Sequence, residues 1–314
     1  MQRKITILLF IFCIGCDFGL NAPKEDANGI YLNLLSNTTL SIEGILRIYN
    51  NKAYIIGDYN LQVVNISDKV RPKSSDCYFV VGQEIKDAFI NDPYFYIISP
   101  DTLFIKNINS LSQIVGKLAL NTTVENIKIN GNYAYIKTSV GNLLIINISS
   151  PSNPVLLGTV GFGKKIEDYI IEDKIGYLLF YNSLLVYDFS NPTQPLPIDI
   201  SEITTYDGTG LKKNGEYLYR RGSFWGIYIT KTKGQALESI RFLEFPREIL
   251  DFDFDKYGIA TDTSTLYLLN AQTPSYLCVI EKMLGRGYSL KTEGDYIYYL
   301  QNKSLIILKV EKLR

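Results

Sequence analysis

A phrase of alternating tyrosines returns through this chain at a nearly constant interval. It reads "NNKAYII", "NDPYFYII", "NGNYAYIK", "EDKIGYLL", "NGEYLYRR", "DKYGIATD" and "EGDYIYYL". These copies place Tyr54, Tyr96, Tyr135, Tyr177, Tyr219, Ile259 and Tyr298 between 39 and 42 residues apart. A second phrase follows each copy: "LQVVNIS", "LFIKNIN", "LLIINIS", "LLVYDFS", "GIYITKT", "LYLLNAQ" and "LIILKVE". Seven paired phrases at one period predict an array of equal units, each too small to bury its own apolar face.

Each unit reads as four short strands. In the third unit they are "VENIKI", "YAYIKT", "LLIINIS" and "PVLLGTV", separated by the Gly, Asn and Pro of tight turns. The third strand is apolar on both faces, with Leu143 and Ile145 on one and Leu144, Ile146 and Ile148 on the other. A sheet apolar on both faces must be covered on both. Radially stacked blades do this, and a period of about 40 residues is that of a propeller blade. The expected fold is therefore all-β: a seven-bladed β-propeller of four-stranded antiparallel blades over residues 30–314. The seventh unit lacks a fourth strand, while "GIYLNLLSN" precedes the first unit with no blade of its own. Residues 30–35 are expected to supply the missing outer strand and close the ring.

The units at residues 130–160 and 172–198 resemble the LVIVD repeat of bacterial extracytoplasmic β-propellers, whose units run Gly-x-Tyr-Ala-Tyr-Val, Gly-Leu-x-Ile-Val-Asp-Ile-Ser and Pro-x-x-Pro. The resemblance is fair in the first two units and weaker in the last three. It implies an exported propeller and brings no shared catalytic motif. The start of the chain agrees with export. "MQRKITILLFIFCIGC" has Arg3 and Lys4 before an apolar run too short to span a bilayer. Its end, Cys13-Ile14-Gly15-Cys16, resembles a lipoprotein lipobox, with Cys13 in place of the usual Leu. That resemblance implies a signal peptide over residues 1–15 and Cys16 as the acylated first residue, carrying chains such as palmitate. Several chains together anchor stably where one does not. Residues 16–29 read as a polar tether.

Lys+Arg and Asp+Glu both total 32, so no basic stripe announces nucleic acid. The chain has no His, which removes Ser-His-Asp and Cys-His catalysis and every His-ligated metal site. Cys77 and Cys278 fall on outer strands of blades separated by another blade and are expected to stay apart as two thiols.

Counting back from the tyrosine landmarks places Asp87, Asn126, Asp168 and Asp251 near the entry of the innermost strand, with Gly44, Gly210 and Ser289 in the other blades. Such a set could ring the mouth of the channel and hold a cation such as Ca²⁺, which takes several oxygen ligands. The competing use is structural, since Asp and Asn at a strand entry commonly bond to backbone groups. A second candidate is the turn "RRGSFWG" of the fifth unit, where Arg220, Arg221, Phe224 and the chain's one Trp, Trp225, offer the residue types that dominate binding hot spots. The repeating tyrosines themselves read as core.

The expected function is a lipid-anchored, non-enzymatic binding or scaffolding module at the bacterial envelope, with the outer membrane favoured. Its partner would be an envelope or external protein, the membrane would be touched through the anchor, and the protein would be a monomer that binds no nucleic acid. The alternative is a carboxylate-dependent glycan-binding or glycan-cleaving enzyme at the channel mouth. A purely structural envelope component reads the same in sequence.

Overall fold

A computed structural model of the chain describes residues 29–79, 81–204, 209–222, 225–233, 235–285 and 287–312. Seven four-stranded antiparallel sheets form within them. Blade 3 shows the plan: Val124–Asn130 is innermost, followed outward by Tyr133–Thr138, Leu143–Asn147 and Val155–Val160. The innermost strands of blades 1 to 7 are Ile45–Tyr49, Asp87–Asn91, Val124–Asn130, Ile166–Glu172, Thr209–Asn214, Asp251–Phe254 and Leu290–Glu293. Each packs against the next, and the last packs against the first, so the ring is closed.

Closure is made by the strand expected to make it. Ile30–Thr39 pairs antiparallel with Ser304–Lys312, the third strand of blade 7, and becomes that blade's outer strand. It runs four residues further than the sequence suggested and carries a bulge between Leu34 and Ser36.

The apolar alternation sorts side chains between neighbouring blades. Leu143 and Ile145 join Tyr135 in a cluster shared with Ile166, Tyr169, Leu178 and Phe180 of blade 4. Leu144, Ile146 and Ile148 turn the other way, onto Tyr96, Ile98, Leu103 and Ile105 of blade 2. Seven such clusters fill the seven interfaces. The landmark tyrosines are buried and face the following blade, as Tyr135 does toward blade 4 and Tyr298 toward blade 1. The core therefore explains the repeat of tyrosine directly.

The second repeating phrase has an equally local cause. At the end of the third strand the side chains of Asn65, Asn107, Asn147, Asp188 and Asn270 each accept the backbone N–H two residues on. This Asx turn sends the chain outward toward the fourth strand. It is the reason an Asn or Asp stands two places before Ser in "NIS" and "DFS".

Three expectations fall on residues whose structure is not described: the 1–15 signal segment, the acylation of Cys16 and the 16–28 part of the tether. Cys77 lies in the outer strand Lys73–Phe79 of blade 1, but its side chain is outside the described set. Cys278 sits one residue before the outer strand Val279–Leu284 of blade 6.

Candidate functional site

At the entry of each innermost strand one backbone N–H points away from the strand ladder and needs an acceptor. These belong to Leu46, Ala88, Ile127, Tyr169, Leu211, Phe252 and Leu290. Asp87 accepts two of them, Ala88 at 2.8 Å with Oδ1 and Ile127 of blade 3 at 3.1 Å with Oδ2. Asp168 accepts Tyr169 at 2.8 Å and Leu211 of blade 5 at 2.7 Å. Asp251 accepts Phe252 at 2.9 Å and Leu290 of blade 7 at 2.8 Å. The seventh N–H, that of Leu46, goes to the Ser289 hydroxyl at 2.9 Å. A carboxylate has two oxygens and can serve its own blade and the next, so Asp is needed in blades 2, 4 and 6 while blades 3 and 5 carry Asn126 and Gly210. The alternation of residue types around the ring follows from this accounting.

The register corrects one member of the ring. Arg47 stands opposite Tyr54 as Lys128 stands opposite Tyr135, so the equivalent of Asn126 in blade 1 is Ile45. Gly44 lies just outside that strand, where a Cβ would meet the Ile56 carbonyl oxygen at 1.9 Å; close backbone approach accounts for it.

The three carboxylates among the four candidate ligands thus have protein partners on both oxygens, while Asn126 donates its amide to Asp87 and keeps its Oδ1 buried without a hydrogen-bond partner. Asp87 also takes Arg47 Nη2 at 2.7 Å and the Asn126 amide at 2.7 Å. Asp168 also takes Lys128 Nζ at 2.7 Å. Burial works against ionisation of Asp168, yet Lys128 and the two N–H groups outweigh it and hold the carboxyl below its ordinary value of 3.8. Asp87 and Asn126 touch, and Asp168 is tied instead to Lys128. Among the described residues no group of three or more His, Cys, Asp or Glu is placed to hold a metal ion.

One step further into the channel, the residues opposite the landmark positions are Arg47, Phe89, Lys128, Ile170, Lys212, Asp253 and Lys291. This cationic ring was missed in the sequence. Its signal was present, because Arg47, Lys128, Lys212 and Lys291 each lie seven residues before a landmark tyrosine.

The fifth-unit turn divides. Arg220 is 1% exposed and stacks its guanidinium over the Tyr228 ring at 4.2 Å, so it does not reach a surface partner. Alternation explains this: Tyr219 faces blade 6, and Arg220 shares the other face with Leu218, in the interface with blade 4. Burial lowers its pKa to about 10. Arg221 donates Nη1 to the carbonyls of Ile249 at 2.9 Å and Leu250 at 2.6 Å, tying the connection into blade 6. Phe224 lies outside the described residues. Trp225 is 53% exposed and held at a φ of +51°.

Trp225 has company. The turn between the second and third strands opens on the same face as the strand entries, since Thr209 pairs with Arg221 and Gly222 with Gly226. On that face Val140 of blade 3 and Tyr181 of blade 4 occupy the corresponding turns, and both are exposed, Tyr181 at 64%. Leu284 of blade 6, opposite Thr265, is exposed at the same end of its sheet. Four successive blades, 3 to 6, therefore each present one large apolar side chain on one face.

The comparisons with known proteins bear on the fold. No curated protein sequence matches the chain. Among solved structures, BamB from Moraxella catarrhalis superposes with a TM-score of 0.61 at 10% identity, over 89% of this chain and 98% of that one. BBS1N in complex with ARL6DN gives 0.66 at 10% identity, over 88% and 96%. The N-terminal domain of Nup159 gives 0.58 at 11% identity, over 92% and 97%. At such identities the likeness shows the fold alone. Residues 123–161, the third blade as read in the sequence, match the LVIVD repeat. The chain is a seven-bladed β-propeller that carries an LVIVD repeat.

Proposed function

We propose that the protein is a lipid-anchored, extracytoplasmic scaffold that holds a protein partner at the bacterial envelope, through the face bearing Val140, Tyr181, Trp225 and Leu284. The observation that carries this reading is Trp225. A bulky residue at positive φ costs about 1–2 kcal/mol of backbone energy that Gly would avoid. Here that residue is also half exposed, in a position where burial gives little in return. Strain of this kind collects at sites with a use, and Trp and Tyr are the types that anchor interfaces. Cys16 would be the acylated residue and residues 16–29 the tether.

Chemistry by the channel-mouth carboxylates is the weaker reading. A glycosidase needs one carboxyl held protonated beside a second that is ionised. Asp168 is instead held below its ordinary value, and both oxygens of Asp87, Asp168 and Asp251 accept backbone N–H groups.

The test is cross-linked capture of the mature protein from envelope membranes, beside a Tyr181→Ser/Trp225→Gly variant. A partner enriched with the wild type and lost from the folded variant supports the reading. The same partners captured equally by both would refute it.

A further inference from the structure

Lys212 of blade 5 and Lys291 of blade 7 stand at one register on their innermost strands, with Asp253 of blade 6 between them. Both ammonium groups reach the same oxygen, Asp253 Oδ1, at 3.7 and 3.6 Å. These are ion-pair distances, longer than hydrogen bonds. The other oxygen is taken by the backbone N–H of Thr292 at 2.9 Å and its hydroxyl at 3.2 Å. Lys128 shows what a satisfied channel lysine looks like: it donates to Asp168 and to the backbone carbonyl of Tyr169. Among the described residues neither Lys212 nor Lys291 makes such a bond.

A third cation adds to the field. Arg47 of blade 1 acts on both lysines as a like charge. Its own nitrogens are committed, Nη2 to Asp87, Nη1 to the Leu46 carbonyl and Nε to the Ala88 carbonyl. Asp87 therefore answers Arg47, and Asp253 is the carboxylate that both lysines reach at ion-pair distance. Asp251 acts on both lysines and Asp168 on Lys212 as opposite charges, but the oxygens of both face backbone N–H groups. The cations Arg47, Lys212 and Lys291 and the carboxylates Asp87, Asp251 and Asp253 balance in charge, and what is left over is hydrogen-bond capacity: the N–H donors of Lys212 and Lys291, set inside a channel whose walls lower the dielectric.

We infer that the channel binds a tetrahedral oxyanion, a phosphate or sulfate group, between Lys212 and Lys291. Such a group presents several acceptors to donors the protein leaves unfilled, and it bridges two ammonium groups that repel each other across one carboxylate oxygen. Arg47 contributes through its charge, and Asp253 competes with the anion for the two lysines.

Titration calorimetry of the mature protein with inorganic phosphate tests this, at fixed pH 7 and at an ionic strength matched with sodium chloride. Sulfate and phosphoserine form two further arms. Saturable binding of one anion per protein is expected, weakened at least tenfold in Lys212→Met and in Lys291→Met and kept within about twofold in Lys128→Met. Asp253→Asn is expected to bind more tightly. Circular dichroism confirms that each variant is folded. Binding of phosphate or sulfate without phosphoserine assigns a free ion; equal binding of phosphoserine assigns the phosphate group of a larger molecule. Absence of saturable binding in all three arms, or equal binding by the Lys212→Met/Lys291→Met double variant, would overturn the inference.

Discussion

Oδ2 of Asp168 in blade 4 accepts the backbone N–H of Leu211 in blade 5 at 2.7 Å, while Oδ1 accepts the N–H beside it in its own strand. The same double acceptance by Asp87 and Asp251 joins blades 2 to 3 and 6 to 7. Asp168→Ala would leave two N–H groups without their acceptor and Lys128 without its counter-charge. A loss of about 2–4 kcal/mol is expected, read as a lower urea midpoint at an unchanged slope. Because the folded pKa of Asp168 is depressed, its contribution is present above pH 3.8 and disappears as pH falls through the folded value. The variant should accordingly differ less from wild type at pH 3 than at pH 7.

Lys291 predicts a second rise in stability with pH, on the alkaline side. Desolvation, then the charge of Lys212 and of Arg47, push its pKa down to about 8 from 10.5, against the pull of Asp253 and Asp251. Between those values the unfolded chain binds more protons than the folded one, so stability rises with pH from about 8. Above about pH 10 the buried tyrosines reverse it. Burial lifts Tyr54, Tyr96 and Tyr135 to about 12, so the folded state then keeps protons the unfolded chain has lost. Melting temperatures from pH 7 to 11 should pass through a maximum, and Lys291→Met should flatten its rising limb, to which Lys69 and Lys106, also lowered by burial, contribute.

Ring closure rests on Ile30–Thr39 against Ser304–Lys312. Glu281 of blade 6 also accepts the Leu32 N–H, fixing the closing strand to the neighbouring blade. Deleting residues 30–39 should cost at least about 5 kcal/mol, from ladder bonds worth about 1 kcal/mol each. Hydrogen exchange should show protection falling first in the third strand of blade 7.

Much of this fold was legible because two physical causes repeat with the blades. A buried Tyr faces each next blade, and an Asx turn ends most third strands, so both leave marks at a fixed interval. The site was less legible. Asp87, Asp168 and Asp251 were found at the strand entries, but sequence could not say whether their oxygens face a cation or N–H groups. That depends on how closely two innermost strands approach. Gly44 was misplaced by one residue because it lies ten residues before its tyrosine, where Asp87, Asn126 and Asp168 lie nine before theirs, and the register places Ile45 there. Arg220 was read as exposed from its place in a turn, although alternation with Leu218 points it inward. Lys212 and Lys291 went unnoticed because charged residues on separate strands look unrelated until the ring brings them around Asp253.

Trp225→Gly separates packing from contact. Relief at a φ of +51° should leave the protein as stable as before or up to about 1 kcal/mol more so. Thermal unfolding checks this. A loss of more than 1 kcal/mol would mean that Trp225 packs against its own fold.

The most direct test of the interaction face is photocrosslinking from a single position in living cells. A photoreactive amino acid replaces Trp225 in one strain. In a second it replaces Val70, an exposed residue in the loop between the third and outer strands of blade 1, at the opposite end of the sheets. A discrete protein adduct from position 225 and none from position 70 is the expected result. No adduct from 225, or the same adducts from both positions, would contradict the claim that this face holds a protein partner.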